Sequence, residues 1–236
     1  MAARRGAMAA WPRRLHLHAL ELIARSGRGA RWLTPQYHFA FDPEQLWLLC
    51  DQLDSVADVD GSVLEVGCAQ GATTIYLNKH LDQRGRARPY FCVDTFSGFT
   101  ARDIEHERTR GHHDDYEDFD FNSRELFAAA MRHAGLADRV TITQADIVEH
   151  DLAAAAPVAF ALVDVDLYVP MLAGLRKVWP ILAPGGVIVV DDCLPNSKWD
   201  GALDAYVEVC AETGQPVDIR AGKLGLLRRP LATGAT

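Results

Sequence analysis

Four aspartates lie as two pairs in a short stretch of the chain, and carboxylates grouped in this way are suited to bind a cation. Asp164 and Asp166 end one apolar run, and Asp191 and Asp192 end the next. A helical stretch connects the two runs, so residues 160–192 are predicted to form a strand, a helix and a second strand. Parallel pairing would bring both carboxylate pairs to one edge of a sheet. Their mutual repulsion is relieved only by protons or a cation, and all-oxygen ligands favour Mg²⁺.

The elements that must position these aspartates follow a regular alternation from Ser62 onward. Five short apolar runs are separated mostly by helical stretches, which predicts a parallel, doubly wound sheet with both faces covered. The runs lie at 62–66, 89–94, 139–144, 159–164 and 187–192, and two further strand candidates lie at 216–219 and 224–228. The predicted fold class is therefore α/β, with a Rossmann-like, mostly parallel seven-stranded sheet and helices on both faces.

The length of 236 residues and the apolar content of 49% are sufficient for one large domain with a real core. The α/β domain is predicted at 61–230. Residues 1–60 are predicted to be a helical extension that caps the domain or joins two copies in a homodimer. An amphipathic pattern at 14–25 and a stronger one at 42–56 supply its helices.

The helix predicted at 42–56 has clear N-terminal signals. Asp42 is a favourable N-cap, Pro43 suits the first helical position, and Gln45 completes a capping box. This helix directly precedes the first predicted strand.

A highly charged segment at 100–121 departs from the compact rhythm. It lies between the second strand and a helix predicted to be capped by Asn122 together with Glu125. A connection this long and polar is typical of a functional lid or of a solvated loop. Candidates for contact with a substrate are two histidines, three aromatic residues and two residues beyond the second aspartate pair: His112, His113, Tyr116, Phe119, Phe121, Lys198 and Trp199.

The charge distribution disfavours a nucleic-acid-binding function. The net charge is −8, and residues 1–31 contain seven arginines against the single acid Glu21, which leaves −14 for the remainder. So acidic a domain is a poor binder of phosphates. No window approaches the roughly 18 apolar residues of a membrane span, so no membrane partner is expected. The five cysteines form no CxxC pair and are predicted to be reduced core thiols in a cytoplasmic protein.

A glycine-containing turn at 65–71 follows the first strand and is a candidate cofactor site. Glycines there let the backbone turn tightly toward a ligand at the N-terminus of the next helix. A dinucleotide fingerprint requires a second glycine where this chain has Ala69, which disfavours a dehydrogenase. A ligand without phosphates, such as S-adenosylmethionine (SAM), has no such requirement.

Acidic residues after the next two strands strengthen the prediction of a nucleoside site. Asp94 ends the second strand 27 residues after Gly67, where it is placed to accept hydrogen bonds from ribose hydroxyls. Asp146 follows the third strand, where it is placed to meet an adenine amino group. The candidate cofactor-binding residues are Glu65, Gly67, Gly71, Asp94, Phe96, Asp146 and Ile147.

These motifs together resemble the class I SAM-dependent methyltransferases. More narrowly, the chain is similar to the macrocin and mycinamicin sugar O-methyltransferases of the TylF type, which include the novobiocin sugar enzyme. The resemblance extends from about Ser62 to Thr213. Its most specific segments are DTFSGF at 94–99, GLADRV at 135–140, DVDLY at 164–168, and PGG at 184–186 leading to the second aspartate pair.

The resemblance implies a SAM- and Mg²⁺-dependent transfer of a methyl group to a hydroxyl of a small molecule, a sugar of a natural product being the leading acceptor. Carried over by position, Asp164, Asp191 and Asp192 are the implied metal ligands, and Asp166 is the implied general base. The predicted catalytic residues are therefore Asp166 and Asp164.

Two other functions are compatible with parts of the sequence. A D-x-D segment also occurs in metal-dependent glycosyltransferases that bind nucleotide sugars, although the 65–71 turn and the Asp191–Asp192 pair would then have no role. A non-catalytic SAM-binding protein is the second alternative. It offers no reason for four grouped acids.

Overall fold

The computed structural model of this chain describes residues 22–23, 39–112, 114, 116, 118–119 and 122–231. The chain divides into two compact units, Met1–Ala40 and Phe41–Thr236. The division therefore falls about twenty residues before the boundary expected at residue 60. In the smaller unit Leu22 and Ile23 are helical, and the rest of the helix predicted at 14–25 lies outside the described residues.

The larger unit alternates strands and helices as predicted. Its strands are β1 (Ser62–Val66), β2 (Tyr90–Asp94), β3 (Val140–Gln144), β4 (Val158–Val163), β5 (Leu182–Val190), β6 (Ile219–Arg220) and β7 (Leu224–Arg228). Its helices are α1 (Pro43–Ser55), α2 (Ala72–Gln83), α3 (Ala101–Thr109), α4 (Arg124–His133), α5 (Tyr168–Ile181) and α6 (Asp200–Thr213), with a short 3₁₀ helix at Ala153–Ala155.

The seven strands form one sheet in the order β3-β2-β1-β4-β5-β7-β6. Strands β1 to β5 are parallel, and β7 pairs antiparallel with both β5 and β6. The direction of the strand order reverses between β1 and β4, and ligands of open α/β sheets bind outside the carboxyl ends of the strands at such a point. The predicted fold class, a Rossmann-like and mostly parallel seven-stranded sheet, is confirmed.

Both faces of the central strands are covered. Every residue of β1 and β4 is buried, as expected for parallel strands between two layers of helices. Leu64 belongs to a core cluster that includes Met171 of α5 and Ala205 of α6. The neighbouring Glu65 points to the other face, where Thr74 of α2 donates a hydrogen bond to its carboxylate.

The predicted turn at Pro184-Gly185-Gly186 is part of β5 rather than a break before it. Strand β5 begins at Leu182, and its register with β4 shifts between Val158 and Phe160. The extra residues form an irregularity held by the chain beyond β7, because Gly185 N–H donates to the Arg229 carbonyl at 2.9 Å. Strand β6 is also displaced from the prediction at 216–219 and contains only two residues.

The charged segment at 100–121 was expected to be a functional lid or a solvated loop, and a solvated loop is wrong for its first half. Residues Ala101–Thr109 form α3, capped by Thr100, and the side chains of Asp103 and Glu107 are 3% and 1% exposed. Their spacing of four residues places both acids on one face of the helix. The inward face of α3 is thus charged, so the apolar periodicity that usually reveals a helix is missing.

Of two other predicted helix N-termini, the structure confirms the cap of one and shows a different cap residue for the other. At α1, Asp42 N–H donates to Gln45 Oε1 at 2.8 Å, as the capping-box prediction requires. At α4 the N-cap is Ser123, whose hydroxyl accepts the Leu126 N–H, rather than the predicted Asn122. Among the described residues, no helix has the length and apolar character needed to cross a membrane.

Candidate active site

The two aspartate pairs lie at the carboxyl ends of the neighbouring strands β4 and β5. A hydrogen bond of 3.0 Å from Asp191 N–H to the Val163 carbonyl holds the two strand ends together. Asp164, Asp166 and Asp192 each place a carboxylate oxygen within 4.8 Å of the others. The sequence therefore correctly predicts that these acids meet at one edge of the sheet.

Asp191 is not a member of this group of three, and a lysine pairs with it. Lys223, in the turn before β7, donates to Asp191 Oδ2 and to Asp192 Oδ1 at 2.8 Å each. The second oxygen of Asp191, Oδ1, is buried and has no hydrogen-bond partner. The structure thus groups Asp164, Asp166 and Asp192 most closely, whereas the ligand set implied by the resemblance contains Asp191 in place of Asp166.

Burial and mutual repulsion make these carboxyl groups hard to ionise. Burial, followed by the charges of the neighbouring aspartates, raises the pKa values of Asp164 and Asp166 well above the ordinary range. Burial also raises the pKa of Asp191 to about 6, even though Lys223 opposes the shift. The site is therefore short of positive charge, and its carboxylate oxygens are donor atoms of the kind that a divalent cation prefers.

Two of the aspartates occupy a backbone conformation that few residues tolerate. Asp166 has a φ of 61° and Asp192 a φ of 57°. Asp and Asn adopt this left-handed region more readily than other residues with a side chain. Aspartate therefore suits both the left-handed backbone conformation and the need for a carboxylate at these positions. Substitution by Asn keeps the first property and removes the second.

The buried acid of α3 supports the DVDLY segment. Leu167 is the N-cap of α5 and provides no side-chain cap. Instead, the Tyr168 N–H donates to Glu107 Oε1 at 2.9 Å. Glu107 therefore caps the N-terminus of α5.

An ion-pair network holds Glu107 in place. Arg110 Nε donates to Glu107 Oε2 at 3.1 Å, and its guanidinium also pairs with Asp204 of α6 at 2.6 Å. The same guanidinium lies 5.0 Å from the centre of the Tyr168 ring. The His106 ring stacks on the Tyr168 ring, with 5.1 Å between the two ring centres. Helix α3 is thus tied to α5 and α6 beside the aspartates.

The predicted cofactor residue Glu65 lies inside the domain. It is 1% exposed, and its Oε2 accepts hydrogen bonds from the hydroxyls of Thr74 at 2.6 Å and Tyr90 at 2.8 Å. Burial raises its pKa to about 7, although these two hydrogen bonds oppose the shift. Its contacts are with the protein, so its role in the described structure is to join β1, β2 and α2.

Asp94, predicted to bind ribose, organises the turn after β1. Its Oδ2 accepts the N–H groups of Cys68 and Ala69 at 2.8 Å each, and its Oδ1 accepts the Phe96 N–H at 2.7 Å. The carboxylate is partly exposed. It therefore fixes the backbone of the glycine-containing turn and still has lone pairs for a ligand hydroxyl.

The two predicted cofactor glycines are required by close packing of the chain itself. Gly67 has a φ of 83°, and a Cβ there would lie 1.8 Å from the carbonyl oxygen of Asp164. A Cβ at Gly71 would lie 2.6 Å from Met131 and 2.9 Å from Phe127 of α4. Gly67 thus brings the glycine-containing turn into direct backbone contact with Asp164.

The remaining predicted cofactor residues lie at the ends of β2 and β3. Phe96 and Ile147 are 3% and 4% exposed. Asp146 Oδ1 accepts the Val148 N–H at 2.9 Å, and its Oδ2 pairs with Arg102 of α3 at 2.9 Å. Since β2 and β3 are adjacent, these residues border one end of the same crevice, and α3 reaches that end through Arg102.

An aromatic cluster lies on the side of the second aspartate pair. The Phe99 ring is centred 5.7 Å from Phe119, 6.2 Å from Tyr116 and 5.6 Å from Trp199. The Lys198 ammonium lies 4.6 Å from the Trp199 ring centre. Tyr116 is 4% exposed, and its hydroxyl has no hydrogen-bond partner.

Of the two candidate histidines in this segment, only His112 lies within the described residues. His112 Nε2 lies 2.9 Å from Asp200 Oδ1, so this histidine pairs with the first turn of α6. His113 and Phe121 lie outside the described residues. Tyr116 and Phe119, two of the three aromatic residues predicted to contact a substrate, therefore lie in one cluster with Phe99 and Trp199, and their contact with a substrate stays a prediction.

Sequence reasoning missed Lys223 and Glu107. Lys223 follows an Ala-Gly turn in a short antiparallel pair, and nothing in its sequence neighbourhood indicates a distant acid partner. For Glu107 a signal was available, since Asp103 and Glu107 have the spacing of one helix face and each is followed or preceded by arginine. Their burial could be recognised only from the contacts.

We expect Glu107→Ala to destabilise the domain by about 2 to 4 kcal/mol, because it removes a helix cap and leaves Arg110 without its buried partner. Glu107→Gln keeps an oxygen for the Tyr168 N–H and should lose less. Urea unfolding measures both. Glu105→Ala is the matched control, since Glu105 is an exposed acid of the same helix; equal stability of the two alanine variants would contradict the cap assignment.

The raised pKa of Glu65 predicts a pH-dependent stability. The folded state holds the Glu65 proton more tightly than the unfolded state, so the free energy of unfolding should decrease as pH rises from the ordinary value of 4.5 to about 7. Glu65→Gln removes this dependence. The stability of the variant relative to the parent should therefore increase by about 3 kcal/mol between pH 4.5 and 8, as measured by urea unfolding across that range.

Glu125→Gln is the control for this titration because Glu125 is exposed in α4. Its stability difference from the parent should stay flat over the same pH range. A Glu65→Gln difference that is identical at pH 5 and pH 8 would show that Glu65 ionises normally in the folded protein.

Comparison with known proteins places this geometry in a family. The model for the methyltransferase domain matches residues 64–193, which include the glycine-containing turn, Asp94 and all four aspartates. No curated protein sequence matches the chain. The family match favours methyl transfer over the nucleotide-sugar alternative for the D-x-D segment.

Several solved structures share the fold. The O-methyltransferase NovP has 19% identity and a TM-score of 0.69 over 91% of this chain and 99% of that chain. The calicheamicin methyltransferase CalS11 has 20% identity and a TM-score of 0.62 over 97% and 99%, and its apo form is described as a TDP-rhamnose 3′-O-methyltransferase (20% identity, TM-score 0.55, 94% and 88%). TomG from Streptomyces achromogenes, an O-methyltransferase of tomaymycin synthesis solved with SAM, has 18% identity and a TM-score of 0.51 over 91% and 90%.

At these identities the solved structures establish the architecture, and the family match identifies the domain. The resemblance to class I methyltransferases indicated by the sequence motifs is thereby confirmed. The chain belongs to the methyltransferase-domain family and has the class I, Rossmann-like fold.

Proposed function

We propose that this methyltransferase transfers the methyl group of SAM to a hydroxyl of a small molecule with the assistance of Mg²⁺. The acceptor we propose is a sugar of a natural product or of its precursor. The observation that carries the proposal is the convergence of four aspartates at the sheet edge, directly beside the glycine-containing turn. A methyltransferase without a metal has no use for so much buried negative charge.

The contact between the cofactor turn and the acid segment supports transfer at the metal site. Gly67 approaches the Asp164 carbonyl so closely that no side chain fits between them. A cofactor bound over the turn would therefore lie next to whatever the aspartates bind. SAM supplies an electrophilic methyl group on a sulfonium. The acceptor oxygen must lie on the axis of the S–CH₃ bond, and the adjacency of turn and aspartates provides for that alignment.

The cofactor would be held by residues of β1, β2 and β3. Asp94 would accept hydrogen bonds from ribose hydroxyls, while Phe96 and Ile147 would contact the adenine from the two strand ends. Asp146 would accept from the adenine amino group. Its present ion pair with Arg102 would make α3 sensitive to the bound nucleoside.

The metal would be held by Asp164 and Asp192 together with Asp191. The buried Oδ1 of Asp191, which has no partner in the structure, is the atom whose burial a cation would compensate. When bound, Mg²⁺ supplies a lowered pKa for the acceptor hydroxyl and stabilises the developing alkoxide. Asp166 would accept the hydroxyl proton, since its carboxylate lies in the same group of acids.

A sugar acceptor is supported by two features on the acceptor side. Phe99, Tyr116 and Trp199 form a cluster of apolar rings, and Trp199 lies seven residues after Asp192 in the chain. The buried Tyr116 hydroxyl lacks a partner that a sugar hydroxyl would provide. CalS11, which shares the fold, is described as acting on TDP-rhamnose. A homodimer, a cytoplasmic location and the absence of nucleic-acid partners stay predictions.

Metal removal should separate cofactor binding from turnover. We expect EDTA to abolish methyl transfer while calorimetry still detects SAM binding, because the cofactor and metal residues lie on different strands. Asp192→Asn should behave in the same way, losing at least about a hundredfold in kcat. Full turnover in EDTA with a panel of sugar nucleotides and glycosylated products would rule out the metal-assisted reaction.

The roles of Asp166 and Asp191 are separated by matched asparagine variants. Asp166→Asn should keep its metal affinity and lose about 10² to 10⁴ in kcat, as expected for a general base. Asp191→Asn should weaken Mn²⁺ binding, measured by electron paramagnetic resonance. The opposite pattern, weak metal binding in Asp166→Asn and normal binding in Asp191→Asn, would make Asp166 the third ligand, as its proximity to Asp164 and Asp192 allows.

A further inference from the structure

We propose that Lys223 is a built-in counter-ion of the metal site, which sets how tightly the four aspartates hold a divalent cation. The inference rests on the proposed function, because it presupposes that the aspartates bind a metal. It assigns a role to a residue on β7's turn, which is remote in sequence from every motif of the methyltransferase domain.

The contacts of Lys223 are directed at the second aspartate pair. Its ammonium donates to Asp191 Oδ2 and Asp192 Oδ1 at 2.8 Å each, and the three side chains are 21%, 5% and 12% exposed. No other lysine or arginine in the described part of the chain forms a salt bridge with the four aspartates. A largely buried ion pair of this kind is screened much less by salt than a surface pair.

The turn that carries Lys223 is held in position by independent contacts. Its carbonyl accepts the Cys193 N–H at 2.8 Å, directly after the aspartate pair. Gln45 of α1 donates to the Ala221 carbonyl at 3.2 Å, and the Lys223 ammonium lies 5.4 Å from the centre of the Phe41 ring. The cation is therefore placed by the fold as well as by the carboxylates.

The oxygens that Lys223 takes are distinct from those left for a metal. It occupies one oxygen of Asp191 and one of Asp192, while Asp191 Oδ1 has no partner and Asp164 receives no hydrogen bond from the lysine. A divalent cation can therefore bind carboxylate oxygens that Lys223 leaves, Asp191 Oδ1 among them, while Lys223 keeps its own two. Both cations then share the same two carboxylates.

Sharing has two physical consequences. Without metal, Lys223 compensates part of the buried negative charge and so supports the folded domain. With metal, its positive charge lies a few ångströms from the divalent ion and repels it. Lys223 thus lowers the affinity of the site for the metal and raises the stability of the metal-free protein. Such a site binds and releases its cation readily.

The test uses Lys223→Met in the full chain at pH 8, with Mn²⁺ and Mg²⁺ as probes. We expect Mn²⁺ to bind at least about tenfold more tightly, as measured by electron paramagnetic resonance and by calorimetry. The metal-free melting temperature should fall, and saturating Mg²⁺ should restore it. A lysine with only a structural role would lower the melting temperature and leave the affinity unchanged or weakened, which would overturn the proposal.

Two further variants keep the test decisive. Lys79→Met removes a positive charge from α2, where Lys79 contacts only the Ala134 carbonyl among its described hydrogen bonds, and it should leave Mn²⁺ affinity unchanged. Lys223→Gln removes the charge but keeps a donor, so it replaces Lys223→Met if that variant does not fold. A parent protein that binds no Mn²⁺ would refute the metal-assisted function itself, whereas normal binding that Lys223→Met and Lys223→Gln fail to tighten would refute the counter-ion role alone.

Discussion

Repulsion among four aspartates at one edge of the sheet, three of them buried, is the constraint on which the rest of this structure depends. Two adjacent parallel strands deliver Asp164 and Asp192 to the same edge of the sheet, and burial removes the water that would otherwise screen their charges. Such an arrangement is stable only if protons or positive charges relieve the repulsion. The chain supplies one positive charge itself through Lys223, and the Oδ1 of Asp191 is left without a hydrogen-bond partner.

The same electrostatic theme extends to the helix that follows β2. Helix α3 buries Asp103 and Glu107 instead of apolar side chains, and each acid is paired with an arginine of the same helix. One of these acids caps the helix that begins immediately after Asp166. Arg102 also reaches Asp146 at the opposite end of the crevice. A single short helix therefore contacts the predicted nucleoside end and supports the segment that carries the predicted base.

Sequence patterns predicted the sheet well because strands of a doubly wound fold are uniformly apolar and end in functional polar residues. The convergence of Asp164, Asp166 and Asp192 followed directly from that rule. The patterns failed where the buried side chains are charged, as in α3. A helix with a charged inward face has the same sequence pattern as a solvated loop. Glu65, whose position at the start of a motif predicted contact with a ligand, has a side chain that points into the layer of α2, and its contact with a ligand stays a prediction. Lys223 could not be predicted, since long-range ion pairs leave no periodic signal.

The contact between Gly67 and the Asp164 carbonyl fixes the distance between the cofactor turn and the acid segment, and no side-chain movement can change that distance. Because backbone meets backbone there, the spacing between the cofactor turn and the acid segment is a property of the sheet and not of any rotamer. The aromatic cluster and the segment after α3 are not bound by this limit. The fold therefore fixes the distance between the cofactor turn and the acid segment. The aromatic cluster can change for different acceptors without altering that distance.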